Sequence, residues 1–321
     1  MSVALERVAK CDLCGSQDFE PRRVWKDQLL FGPERWTLVR CRKCKLHFID
    51  PRPTHEAIGS FYPQDYAAHF APPRQPSAWQ RRVSAPDAPP IPLWLRPFMQ
   101  VRQDISWYMF PRWHGRGDVL DVGCGSGGRY LDALRGLGWK THGIEPSASA
   151  VANAVANGHD AVVGTAEEPA FSDQSMDIVT MWHALEHTHS PSRALASCFR
   201  MLRPGGLLTL CVPNWNSLQA RLYGRFWWST DAPRHLYQFT RTTLRQYLEQ
   251  AGFRVVHVTT RTGPTSWQRA ARHLANAIFG TRWVRDSSLL VDLLIPFCAL
   301  GSLVRYFGVG GELRVIAERP A

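Results

Sequence analysis

Lysine is scarce in this chain: five residues in 321, so nearly all of its positive charge is arginine. The opening "MSVALERVAKC" has no apolar core behind a basic tip, which argues against an export signal and makes the cell interior the expected location. No apolar run reaches the length of a membrane span. The strongest, Leu289–Val304, is too short and is interrupted by Asp292 and Pro296. What remains is a chain with 45% apolar residues, long enough for two domains and suited to a buried core.

The net charge of +11 is unevenly spread. It is +3 in residues 1–60, +3 in 61–118, −3 in 119–214 and +8 in 215–321, where fourteen Arg oppose six acids. A basic face of that kind suits phosphates on nucleic acid, sugar nucleotides or anionic lipid headgroups; arginine-rich composition alone would give the same count.

Eight cysteines divide into a clustered four and a scattered four. Cys11 and Cys14 form "CDLC", Cys41 and Cys44 form "CRKC", and 26 residues separate the pairs. Two C-x-x-C knuckles at this distance match a four-thiolate Zn2+ site, and four thiolates leave no open position for catalysis, so the metal is expected to be structural. Gly15 follows the first knuckle as such turns often require; Lys45 stands at the matching place in the second.

From Asp118 onward, short apolar runs alternate with helical patterns. Strands are expected at Val119–Val122, Lys140–Ile144, Ala161–Val163, Ile178–Trp182, Leu207–Val212, Arg254–Thr260 and Glu312–Ala317. Helices are expected at Gly128–Leu137, Ser147–Asn157, Pro191–Leu202 and Thr242–Ala251. This alternation predicts an α/β, Rossmann-like parallel sheet with a ligand crevice at the strand ends.

The first strand runs into "DVGCGSGG". Gly123, Gly125 and Gly128 satisfy the G-x-G-x-x-G of dinucleotide folds, while Gly123, Gly125 and Gly127 satisfy the G-x-G-x-G of S-adenosylmethionine (SAM) enzymes. Both ligands remain open on the glycines alone. Asp121 puts a carboxylate where a dinucleotide turn ordinarily has an apolar residue, and Glu145 ends the second strand, ready for a ribose diol.

The ordered set of Asp121, Gly123–Gly127, Glu145-Pro146, Ala166-Glu167, "HALEH" and "LRPGG", over about residues 118–260, resembles the class I SAM-dependent methyltransferases. The resemblance implies a seven-stranded sheet whose last strand is antiparallel. It implies that Asp121, Gly123, Cys124, Gly125 and Gly127 serve the methionine part of SAM, Glu145 and Pro146 the ribose, and Thr165, Ala166 and Glu167 the adenine, with Trp182 at the same mouth. An acid often stands where Thr165 stands. The cysteine head and "DPRP…FYPQDY" further resemble methyltransferases with an N-terminal zinc ribbon, many of them tied to glycan or cell-envelope biosynthesis.

Methyl transfer to a hydroxyl needs a base for its proton, and imidazole is the usual choice near neutral pH. His183, Glu186 and His187 follow the fourth strand; the ubiquinone-type O-methyltransferases of the family hold a divalent cation near here, with an acid where this chain has His183. After the fifth strand, Trp215, Trp227, Trp228 and Tyr237 could wall an acceptor pocket, with Asp231 and Arg234 as polar contacts and His235 as first choice for the base.

The expected domains are a zinc ribbon at 1–60, a linker and lead-in helix at 61–110, and a methyltransferase domain at 111–321 with a helical insertion at about 262–310. The expected partner is a small-molecule or glycan acceptor, including a lipid-linked one, with a cytoplasmic location or peripheral contact at the inner face of the membrane. An RNA methyltransferase is the main alternative, set back by the lack of the N/D-P-P-Y/F element of base amino-group methylators; a methyltransferase-like scaffold without activity is another.

Overall fold

A computed structural model describes residues 3–27, 34–62, 117–127, 130–168, 171–262, 266–267 and 307–321. The proline-rich linker, the helix expected at Met99–Tyr108, Gly128, Leu289–Val304 and most of the expected insertion lie outside these residues. Among the described residues, no helix is long and apolar enough to cross a membrane.

The described residues form two compact units. One is drawn from Met1–Tyr62, Cys211–Gln246 and Val258–Arg314. The other is drawn from Pro63–Leu210, Tyr247–His257 and Val315–Ala321.

The first unit begins with β1 (Leu5–Glu6), β2 (Phe19–Lys26), β3 (Arg35–Cys41), β4 (His47–Ile49) and β5 (Arg52–Pro53). The strands β2, β3 and β4 form an antiparallel sheet, to which a distant segment, Tyr237–Gln238, adds a fourth strand beside β4. Tyr237 lies opposite Phe48 and Gln238 opposite His47, and the Ile49 amide donates to the Leu236 carbonyl. Trp25, Trp36, Leu38, Ile49, Phe61 and Ala232 close over one core. The cysteine-bearing head therefore shares both its sheet and its hydrophobic core with residues from the 211–246 segment, a pairing that no local pattern in the head announces.

The larger sheet holds β6 (Asp118–Val122), β7 (Lys140–Glu145), β8 (Asp160–Val163), β9 (Met176–Trp182), β10 (Leu202–Pro213), β12 (Arg254–Arg261) and β13 (Glu312–Glu318), β11 being Tyr237–Gln238. The order is β12-β13-β10-β9-β6-β7-β8. The interior strand β6 pairs in parallel with β7 and β9, and β7 with β8. Covered on both faces, β6 buries Val119, Leu120 and Val122 in succession, which is the near-continuous apolar run of a parallel strand rather than an alternating one.

The helices are α1 (Leu131–Arg135), α2 (Ala148–Ala156), α3 (Pro191–Met201), α4 (Leu218–Tyr223) and α5 (Arg241–Gln250). Ser147, Ser190 and Ser217 cap α2, α3 and α4, each side chain accepting an amide three residues on; Pro191 takes the first position of α3, where no amide hydrogen is needed. The strand expected from Leu207 starts at Leu202. Gly205 takes its turn conformation, φ +78°, within β10, and its amide donates to Arg319 at 2.8 Å. Backbone pairing with the C-terminal segment has drawn "LRPGG" into the strand.

Candidate functional site

At the end of β6 the chain turns through Gly123 (φ +78°), Gly125 (φ +54°) and Gly127 (φ +71°), a left-handed run that side chains resist. The Gly123 and Cys124 amides donate to the Ile144 carbonyl, tying the turn to β7. Gly123 has close company too: a Cβ there would lie 3.1 Å from that of Ala184.

Two buried carboxylates flank the turn. Glu145 accepts the Gly125 amide on one oxygen (3.0 Å) and the Ser147 amide on the other (3.1 Å), which ties the glycine turn to the start of α2. Asp121 accepts the Thr180 hydroxyl at 2.7 Å. Burial pushes its carboxyl up to about 7, against the hydrogen bond from Thr180, which favours ionisation, and with the charge of Glu145 adding to the rise. A cation placed beside such a carboxyl would favour its ionised form.

The base-side residues are less uniform. Ala166 is buried and Thr165 closes a turn by accepting the Glu168 amide. Glu167 takes the amides of His189 (2.7 Å) and Ser190 (3.3 Å), which fixes the start of α3. Pro146 is exposed at the head of α2, and half-buried Trp182 meets Tyr130 edge-on at 5.6 Å. So Asp121, Glu145 and the glycines share one turn, while Glu167 has a structural task of its own.

His183 stands just past β9 at φ +54°, a strained backbone for a non-glycine residue, and its Nδ1 lies 3.1 Å from Glu186 Oε1. Glu186 is fully buried in the short turn Leu185–His187, and His187 is half-buried.

In the first unit, buried His235 donates from Nδ1 to the Ser229 carbonyl at 2.8 Å. The carbonyl calls for a proton on Nδ1, and Asp231 Oδ2 lies 3.8 Å from Nε2. Arg234, expected to contact an acceptor, is instead wholly buried and engaged by protein: Asp27 at 2.8 and 2.9 Å, Asp231, and the Phe61 carbonyl at 2.9 Å. Trp227 is likewise core, and Tyr237 is buried with its hydroxyl on Arg52 at 3.1 Å. Trp215 is half-buried among Trp25, His47 and Trp227, with the Arg23 guanidinium over its ring at 5.5 Å. The backbone of Trp228 lies in the turn Trp228–Thr230.

Cys11, Cys14, Cys41 and Cys44 converge, their sulfurs all within 4.8 Å of one another. The pairs Cys11–Cys44 and Cys14–Cys41 stand at 3.5 Å, too far for a disulfide and close to the edge of a tetrahedral Zn–S4 centre, about 3.8 Å for a 2.3 Å bond. A hydrogen bond from Cys11 lowers the pKa of the Cys44 thiol, while the same bond and burial raise that of Cys11, so the thiolate is held on Cys44 and Cys11 keeps its proton. Gly15 (φ +70°) and Lys45 (φ +66°) take the same conformation in the two knuckles, each donating its amide back to the first cysteine of its pair.

Sequence reading missed Thr180, Asp27 and a buried set beneath the glycine turn. His159 joins Thr141 Oγ1 (2.8 Å) to Asp132 Oδ1 (3.1 Å), and the Asp132 amide donates to the Gly127 carbonyl. These are ordinary polar residues with no motif around them, so only their burial marks them.

The model of the family described as "methyltransferase domain" matches residues 94–258, about half of the chain. A probable SAM-dependent methyltransferase of Mycolicibacterium smegmatis is 30% identical over 140 residues, 43% of this chain and 52% of its own. A ubiquinone biosynthesis O-methyltransferase of Thiobacillus denitrificans is 32% identical over 106 residues, 31% of this chain and 45% of its own. The chain thus spans about half the length of these curated relatives. Among solved structures, a SAM-dependent methyltransferase from Mesorhizobium loti aligns with a TM-score of 0.44 at 18% identity, over 64% of this chain and 92% of that one.

Proposed function

The chain belongs to the methyltransferase-domain family, and from that premise we propose that it transfers a methyl group from SAM to a hydroxyl of a glycan, sugar-linked or lipid-linked acceptor. The observation that carries the SAM reading is the glycine turn with its two buried carboxylates: Glu145 braces the Gly125 amide, and Asp121 offers negative charge that burial has made costly. When bound, SAM supplies a methyl on a sulfonium that departs as a neutral thioether. The protein's part is to hold and align, and orientation supplies much of the rate.

In this reading Asp121 meets the cationic methionine end and Glu145 the ribose hydroxyls, while Gly123, Gly125 and Gly127 let the ligand approach the backbone. Thr165 and Ala166 border the adenine. His235 takes the proton of the acceptor hydroxyl on Nε2, the ring nitrogen opposite the one that donates to Ser229. O-methylation is supported by the placement of that imidazole and by the activity for which the ubiquinone-type relatives are named. A carbohydrate-bearing acceptor is supported by the partly accessible Trp215. The four cysteines fit structural zinc by donor set and spacing. Work at the inner membrane face is consistent with the arginine-rich final third.

The experiment is transfer from methyl-labelled SAM to a panel of envelope glycans, lipid-linked sugars and RNA, read by product mass spectrometry. A labelled hydroxyl on a glycan or lipid-linked sugar is the expected product. Label on RNA alone overturns the acceptor assignment, and calorimetry showing no SAM binding overturns methyl transfer itself.

A further inference from the structure

The buried guanidinium of Arg234 gathers carboxylates from two places far apart in the chain. Asp27 lies at the end of β2, 207 positions earlier, and receives two nitrogens, at 2.8 and 2.9 Å. Asp231 receives the remaining edge, with Nε 3.1 Å from its Oδ1, and the Phe61 carbonyl takes a further bond at 2.9 Å. The same Asp231 carboxylate faces Nε2 of His235 at 3.8 Å, while Nδ1 of that ring is fixed on Ser229. Immediately after His235, the Leu236 carbonyl accepts the Ile49 amide and Tyr237–Gln238 joins β4, three residues from Cys44.

A one-sided set of bonds would leave this loop able to shift. Here it is held at both ends: before the histidine by a bidentate ion pair to the head, and after it by a strand in the head's sheet. Removing one partner of a buried pair costs heavily because the other charge stays behind, so the arrangement resists partial opening.

We propose that Asp27 and Arg234 are positioning residues for the transfer reaction: through them the cysteine ribbon sets Asp231 and the His235 ring, so that head and base-bearing loop open and close as one body. The ribbon is then a working half of the acceptor side rather than a detachable module. The part concerning acceptor chemistry rests on His235 being the base; the mechanical unity does not.

Two measurements on the full chain test this. In native-state hydrogen exchange of the unaltered protein, the amides of Phe48 and Ile49 and those of Tyr237 to Phe239 should share one opening reaction, with protection within about tenfold and the same dependence on denaturant. Opening of one segment clearly more than about tenfold faster than the other, or with a different dependence on denaturant, overturns the proposal. In Asp27→Asn, nitrogen-15 spectra of histidine should show His235 leaving its single Nδ1–H tautomer for an averaged one, whereas Glu20→Gln on the same ribbon leaves it unchanged. An unmoved His235 signature in folded Asp27→Asn overturns the proposal as well. Should Asp27→Asn not fold, the exchange experiment decides alone. Calorimetry with SAM on the same samples separates the readings: a protein that ignores SAM removes the methyl-transfer function and leaves the exchange result standing.

Discussion

The hydroxyl of Thr180 donates to Asp121 across the β6–β9 pairing at 2.7 Å, and it is the contact that works against the burial of that carboxylate. Because the folded value, about 7, lies above the ordinary 3.8, the unliganded fold binds a proton that the unfolded chain releases. The stability this contributes is complete below about pH 4 and is lost as the pH rises through 7.

A cationic ligand selects the ionised form. SAM affinity should therefore rise about tenfold from pH 6 to pH 8 and then level off, with proton release on binding below neutrality. Calorimetry in buffers of different ionisation enthalpy reads both. Asp121→Asn should weaken SAM binding, abolish this pH dependence and leave zinc content unchanged; Thr180→Val should move the inflection upward. A flat profile in the unaltered protein would remove Asp121 from the cation's side.

Gly143 offers a second, structural test. A Cβ on this residue of β7 would lie 2.5 Å from Cys124 Sγ in the glycine turn. Gly143→Ala should cost about 1–3 kcal/mol of stability, as overpacking does, and should weaken SAM binding because the turn must move. Combining it with Cys124→Ala removes the listening sulfur and should recover most of the loss. Thermal melts and SAM titrations of the two single variants and the double variant give the coupling; strict additivity would mean that the two side chains do not oppose each other.

The larger sheet was legible because each of its strands is a local apolar run with its own punctuation. Val119–Val122 was expected and Asp118–Val122 is found; Ser147 and Ser190 announce the helices that follow them. Asp121, Glu145 and the three glycines could be read as one site since they lie at the ends of such runs. The cysteine spacing told equally well of four sulfurs converging. What sequence could not tell is where "RFWWSTDAPRHLYQF" would go. Its tryptophans and charges look like a binding wall, yet Arg234 and Trp227 are buried because a strand pairing 190 residues apart and an ion pair to Asp27 draw them inward. Long-range pairing leaves no periodic trace in either partner, so burial had to be seen rather than counted.

His159 is argued from the same kind of hidden contact. Its ring lies under the glycine turn, where a Cβ on Gly127 would come within 2.8 Å of Cδ2, and burial with the nearby Arg135 lowers its affinity for a proton. A neutral ring can accept from Thr141 on one nitrogen and donate to Asp132 on the other. His159→Gln retains an acceptor and a donor and should keep SAM affinity within about threefold. His159→Leu fills similar space but leaves Thr141 without the ring nitrogen and Asp132 with Arg135 in place of two partners, and should cost about 1–3 kcal/mol with a larger loss of SAM affinity. Equal behaviour of the two variants in melts and titrations would mean that the ring only fills space.

Lys45 and Gly15 make the final prediction, since they hold the same left-handed place in the two cysteine knuckles. A Cβ in that conformation costs about 1–2 kcal/mol, which glycine avoids. Part of that cost is offset at Lys45, whose ammonium bonds the Arg42 carbonyl. Lys45→Gly should therefore be tolerated, with zinc retained at one ion per chain and stability raised or held within about 1 kcal/mol. Gly15→Val should be costly, because a β-branched side chain suits this region least and has no carbonyl to reach. Metal analysis and chelator-induced zinc loss measure both: faster release from Gly15→Val and unchanged or slower release from Lys45→Gly are the expected pattern. The reverse order would mean that the lysine's bond to Arg42, rather than the backbone shape, is what keeps the second knuckle closed.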